Sequence, residues 1–188
     1  YSLMDRSYDQ THIDPLAKLK LGWLRPRVML RSGTFPLVNI EDSARAWVLV
    51  DPRRGTDEYF LVENRLRTAR YESQMNDDGG LAVWHVMEND ATWQAMAAPP
   101  NVDPTLWAAS AGFGRRGILM VRPIMTAPFN DANALWDGAQ TGTSYDLLSV
   151  DSDPTHNRLT WGNGTASGFA LQRISGAGAT MSATITAP

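Results

Sequence analysis

The chain has 188 residues, 43% of them hydrophobic and 20% charged, which suits one globular domain or one domain plus part of another. Its net charge is −3 and its basic residues are scattered, which argues against nucleic acid as a partner; no apolar run approaches the ~18 residues that a membrane span needs. Cysteine is absent, so disulfides and thiolate chemistry are excluded. The chain starts at Tyr1 with no charged-then-apolar leader, so any export signal is expected outside it.

The first element in chain order is a short helix. Asp14 is a good N-cap, Pro15 fits the first helical position, and Gly22 can take the left-handed terminating conformation. Leu16, Leu19 and the flanking Ala17, Leu21 and Leu24 form an apolar face, with Lys18 and Lys20 expected to point to water. A helix of about two turns is not stable alone. It must therefore dock, and Trp23 is expected to add apolar surface to that dock.

Strand signals follow at Phe35–Ile40, Ala44–Val50, Asp57–Asn64 and Leu81–Val86, separated by turns at Asp51–Gly55 and Asn76–Gly80. Tyr59-Phe60-Leu61-Val62 and Leu81-Ala82-Val83-Trp84 are apolar on both faces, the pattern of central strands in a sheet covered on both sides. From Met87 to Phe113 the pattern loosens to Ala, Met and Trp at rough helical spacing, broken by Pro99, Pro100 and Pro104. Strands are expected again at Gly117–Arg122, Arg158–Trp161, Ser167–Ile174 and Thr180–Thr186, the last two closing as a hairpin around residues 175–178. The fold class is thus mainly β with short helices, in a β-sandwich-like arrangement.

Few motifs carry chemistry. His12, His85 and His156 include no pair at i and i+4, so a two-histidine helical zinc motif is absent and no residue is assigned as a zinc ligand. Gly112-Phe113-Gly114-Arg115-Arg116-Gly117 spells a dinucleotide-binding glycine pattern but leads into a strand, where no helix N-terminus can hold a pyrophosphate. Two acidic loops place oxygen ligands at alternating positions in a way that suits calcium: Asp131, Asn133 and Asp137, and Asp151, Asp153 and Asn157. Solvated turns are the alternative. Asn163-Gly164-Thr165 is a glycosylation sequon, meaningful only in a eukaryotic secreted protein.

Glu63 and Arg65 lie two apart on one strand and share its face with Tyr59 and Leu61, which predicts a partly buried ion pair. His85, at the end of the next strand, is expected to join them. Two readings of this group stand side by side, a tie between strands and the wall of a substrate cleft. Of the seven tryptophans, Trp47 and Trp84 are assigned to the core. Trp93, Trp107 and Trp136 are either core or a platform for sugar or peptide.

Several of these segments, in this order, resemble the immune-inhibitor-A family of secreted bacterial zinc metallopeptidases. They are Ser2-Leu3-Met4, Asp14 through Leu21-Gly22-Trp23, Glu58 through Glu63-Asn64-Arg65, Gly79-Gly80-Leu81 through Trp84-His85-Val86, and the hairpin from Ser167-Gly168-Phe169 to Ile174. The resemblance implies that the His-Glu-x-x-His motif, its zinc ligands and the catalytic glutamate precede Tyr1. Met4 would then be the methionine turn that floors the metal site. Residues 1–32 would end a catalytic domain, with the terminal helix inside them, and residues 33–188 would form the β-rich, sandwich-like domain. No catalytic residue is expected in the chain itself; Glu63, Arg65 and His85 would support the site or line its cleft. Zinc would belong to the intact parent protein, the upstream catalytic segment would be the partner, and a peptide or protein the substrate, outside a bacterial cell. The alternatives are a β-sandwich that binds carbohydrate or protein, and a structural subunit of an extracellular assembly.

Overall fold

The computed structural model describes residues 13–68, 79–88, 117–123, 134–138, 145–153 and 156–188. Met4, His12, Trp93, Trp107, Asp131 and Asn133, and nearly all of the Met87–Phe113 stretch, lie outside them.

The fold is mainly β, and the described residues form two short α-helices and two sheets. Helix α1 (Pro15–Lys20) starts as its caps require: the Asp14 carboxylate accepts from the Ala17 N–H at 2.8 Å, and Gly22 turns the chain away at φ +72°. Strand β1 (Arg25–Val28) and strand β2 (Gly33–Val38) follow, then helix α2 (Ile40–Ser43) and strand β3 (Arg45–Leu49). Among the described residues, strands β4 (Glu58–Leu66) and β5 (Gly79–Met87) are the longest, and β6 (Gly117–Val121), β7 (Ala170–Gln172) and β8 (Thr180–Thr186) complete the set.

One sheet has five strands in the order β1-β3-β4-β5-β6, the other three in the order β2-β8-β7. The doubly apolar strands β4 and β5 are at the centre of the larger sheet, as their composition predicts. Alternation sends Phe60, Val62, Leu81 and Val83 into the space between the sheets. There they meet Leu37, Leu171, Met181, Ala183 and Ile185 from the smaller sheet, with Trp47, Trp136 and Trp161. Tyr59, Leu61, Ala82, Trp84 and Val86 face the other way, under Leu16 and Leu19 of α1. Leu16 and Leu19 are half-buried, so each contributes a part of the roughly 1.5–3 kcal/mol of a fully buried aliphatic side chain to the dock that a six-residue helix needs.

Asn64 ties the two sheets. Its amide donates to the Leu37 carbonyl at 3.1 Å and the Gly178 carbonyl at 3.0 Å. Gly80 is required by close approach, since a Cβ there would sit 2.7 Å from Leu135 Cβ and 2.9 Å from the Trp136 carbonyl oxygen. That segment seals β5 through reciprocal hydrogen bonds between Leu81 and Trp136.

Three local expectations change. Residues 25–28 form a strand that the sequence pattern did not signal, parallel to β3 and in register with it from Arg25↔Arg45 to Val28↔Val48. The domain boundary expected at residues 32 and 33 lies between β1 and β2, and β1 pairs with β3. Residues 158–161 make only an isolated bridge, Thr160↔Ala166, although Leu159 and Trp161 are core residues. Trp23 is 63% exposed and Lys18 only 3%, so the helix docks through Lys18 and Leu24 rather than through Trp23.

Candidate functional site

The alternation of β4 builds two buried ionic clusters on its opposite faces. On the face toward α1, Glu63 accepts from Lys18 Nζ at 2.9 Å on one carboxylate oxygen and from Arg65 Nε at 2.7 Å on the other. All three side chains are 3% exposed or less. The Arg65 guanidinium lies 5.6 Å from the centre of the Trp84 ring and donates to the Ile13 carbonyl at 3.4 Å. Burial alone would push the Glu63 carboxyl up, but the charges of Arg65 and Lys18 outweigh it and hold the carboxyl below its ordinary range.

On the face toward the smaller sheet, Glu58 Oε1 receives His85 Nε2 at 2.8 Å and the Gly162 N–H, while Oε2 receives Arg54 Nη2 at 3.3 Å. A carboxylate only accepts, so Nε2 of His85 carries the proton in this contact. His85 stacks on Phe60, Phe60 stacks on Trp161, and Arg54 covers Trp161 at 4.8 Å. Burial again pushes the carboxyl up, and the hydrogen bonds from His85, Gly162 and Arg54 bring it below its ordinary value.

The predicted group is thus divided. Glu63 and Arg65 come together as expected, more deeply buried than expected. His85 does not join them: it pairs in register with Phe60, and Glu63 pairs with Ala82, so the imidazole projects from the opposite face of the sheet. Lys18 takes the place foreseen for it. With both Glu63 oxygens engaged and no exposure, the pair presents no surface to a cleft. The arrangement suits fixing α1 to β4; proton transfer to a solvent-borne substrate has no open oxygen to use.

A third cluster lies in the 145–157 region. Asp151 accepts from the Asp153 N–H at 2.9 Å and from His156 Nδ1 at 2.8 Å, while His156 Nε2 is 3.5 Å from Asp153. His156 stacks on Tyr145 at 3.6 Å. Burial, together with Asp151 and Asp153, pushes the Tyr145 phenol up to about 12 against the opposing Asn157 N–H. The Asn157 side chain donates its Nδ2 to the Arg122 carbonyl at 2.8 Å. Asp137 is buried on a separate segment beside Trp136.

Among the described residues the donors do not fit a zinc centre. His85 is bound to Glu58, and the two carboxylates beside His156 approach opposite ring nitrogens, so their oxygens do not converge on one point. Among the described residues no three His, Asp or Glu side chains gather to hold a metal. Trp136 is fully buried and donates its indole N–H to the Val121 carbonyl at 2.7 Å, so it belongs to the core and not to a platform.

Sequence reasoning missed Lys18 and Glu58. The signal for Glu58 was alternation, which sets it on the face of Phe60 and Val62; Lys18 left no signal, because its partner lies 45 residues away. Compared with known proteins, the chain matches no family model, no curated protein and no solved structure.

Proposed function

We propose that this chain is a non-catalytic, sandwich-like module that carries the end of a zinc metalloendopeptidase-like catalytic segment, in a protein exported by a bacterium. The family resemblance motivates the reading. The observation that supports it is the joint between α1 and the larger sheet. Lys18 is buried against Glu63, which Arg65 also holds, and Leu16 and Leu19 pack against the buried cluster that includes Tyr59, Leu61 and Val86, so any chain preceding α1 starts from a fixed direction and position. In this reading the metal ligands and peptide-bond hydrolysis belong to the upstream segment, Met4 lies beneath the metal, and Glu63 and Arg65 support the site from behind.

The test compares residues 1–188 with the same chain extended upstream through its coding sequence, both assayed for zinc-dependent hydrolysis of a casein substrate. Activity is expected in the extended protein alone. Zinc-dependent proteolysis by residues 1–188 alone overturns the reading, and so does an extended protein that holds no zinc and cuts nothing.

A further inference from the structure

The free side of β1 brings exposed basic and apolar side chains together. β1 ends the larger sheet and pairs only with β3 among the described strands. The N–H groups of Arg25 and Met29 point to β3, donating to the Ala44 and Val48 carbonyls. Strand alternation therefore turns the peptide groups of Pro26, Val28 and Leu30 outward. Pro26 has no N–H, which leaves the Pro26 carbonyl, both groups of Val28 and the N–H of Leu30 as an open ladder. The edge of the smaller sheet at β7 differs, because Leu147 closes it with reciprocal hydrogen bonds to Leu171.

The side chains along this edge are sorted by face. Arg25 and Arg27 project toward the smaller sheet, on the side where Met29 enters the core and Arg27 lies over Phe35 at 4.7 Å. Arg45 pairs in register with Arg25, and Arg31 follows the strand. None of these four arginines makes an ion pair among the described residues, although the chain as a whole is acidic. On the other face Val28 is 48% exposed and Leu30 63%, with Trp23 at 63% two residues before the strand. A shallow cleft of about 280 Å³, lined in part by Arg27, Met29, Arg31 and Phe35, runs between β1 and β2.

The geometry points to β1 as the docking site for an extended segment of an acidic partner protein, added to the larger sheet as a new edge strand. The segment alternates: acidic side chains over Arg25, Arg27 and Arg45, apolar ones beside Val28 and Leu30. Open backbone groups supply the register and the arginines supply charge complementarity. A second copy of this chain is disfavoured at the same edge, because strand-to-strand pairing would set the arginines of both copies against each other.

The probe is a fluorescein-labelled peptide, Val-Glu-Val-Glu-Val-Glu-Val, followed by anisotropy on the full chain. Binding is expected, weakening as salt rises from about 0.05 to about 0.5 M. Arg25→Glu with Arg27→Glu should weaken it by about tenfold or more, since both side chains are exposed and attraction becomes repulsion. Val28→Pro should abolish it while leaving the β3 ladder intact, because the lost N–H faces outward. If that variant fails to fold, N-methylation of alternate peptide amides replaces it: one of the two frames should lose binding and the other keep it. Absence of binding to the wild-type chain overturns the proposal. So does equal binding by Val28→Pro or by both methylated frames, which would reduce the site to unspecific charge, and so does preference for heparin or duplex DNA over the peptide.

Discussion

β4 presents the same group, a buried glutamate, on two faces in two different settings. Glu63, toward α1, is held by the side chains of Lys18 and Arg65 and is shut off from water. Glu58, toward the smaller sheet, is held by an imidazole, a backbone N–H and a guanidinium that remains 32% exposed. Both carboxyls are held below their ordinary range, because in each case donors outweigh the burial that would neutralise them. The difference is what happens when a partner is lost. Around Glu58 the rim can rehydrate, whereas Glu63 and the two cations beside it have no exposed rim.

The largest effect therefore belongs to Glu63→Gln. It removes the carboxylate that Lys18 and Arg65 share in a fully buried position and should cost roughly 3–5 kcal/mol, read as a fall in the urea midpoint at unchanged m-value. A loss under about 1 kcal/mol would mean that α1 lifts off and lets Lys18 reach water. Hydrogen exchange at Leu21 and Trp23, whose N–H groups close the end of α1, would show that directly.

Glu58→Gln should cost less, about 1–3 kcal/mol at neutral pH, since Gln keeps an acceptor for His85 or Gly162 and Arg54 can turn to solvent. Its pH dependence sharpens the contrast. The folded carboxyl titrates below its ordinary value of 4.5, so its contribution is fully present above that value and is lost as the pH falls through the folded value. The gap between wild type and Glu58→Gln should accordingly narrow as urea melts are repeated from about pH 7 to about pH 3. A gap that stays constant would show that Glu58 is held by shape and neutral hydrogen bonds, with its charge immaterial.

How far these two settings were legible in the sequence depends on range. The start and end of α1 were legible because Asp14, Pro15 and Gly22 act within one turn. The pairing of Glu63 with Arg65 was legible because residues two apart on a strand share a face whatever the sheet around them. The central place of β4 and β5 followed from apolar residues on both faces. By contrast, the side from which His85 projects is fixed by its register with Phe60, and that register is set by strand pairing across the intervening loop. β1 was hidden for a related reason: Arg-Pro-Arg-Val reads as a turn or coil, and only the parallel contact with β3 makes it a strand. Trp23 misled because a large ring near a helix end suggests packing, while Leu24, next in line, takes the buried place beside Ile40 and Ala46.

The smallest effect compares two lysines two residues apart on α1. Lys18 enters the sheet face and meets Glu63; Lys20 stays at the rim, 58% exposed, and meets Glu88, itself 31% exposed and already accepting from the Tyr59 hydroxyl at 2.6 Å. Removing Lys20 leaves Glu88 with a hydrogen bond and with water, so Lys20→Ala should change stability by no more than about 0.5 kcal/mol, and by less in high salt. It should still be visible locally. Burial raises the Glu88 carboxyl, and the Lys20 and Tyr59 contacts more than offset it, so loss of Lys20 should move the Glu88 titration upward in an NMR pH series. Lys18→Ala, which strips a cation from a carboxylate that water cannot reach, should cost several times more than Lys20→Ala. Equal losses from the two substitutions would mean that helix propensity rather than the buried joint holds α1 in place, and the division between a sealed and a rehydratable carboxylate would no longer describe how the helix is held.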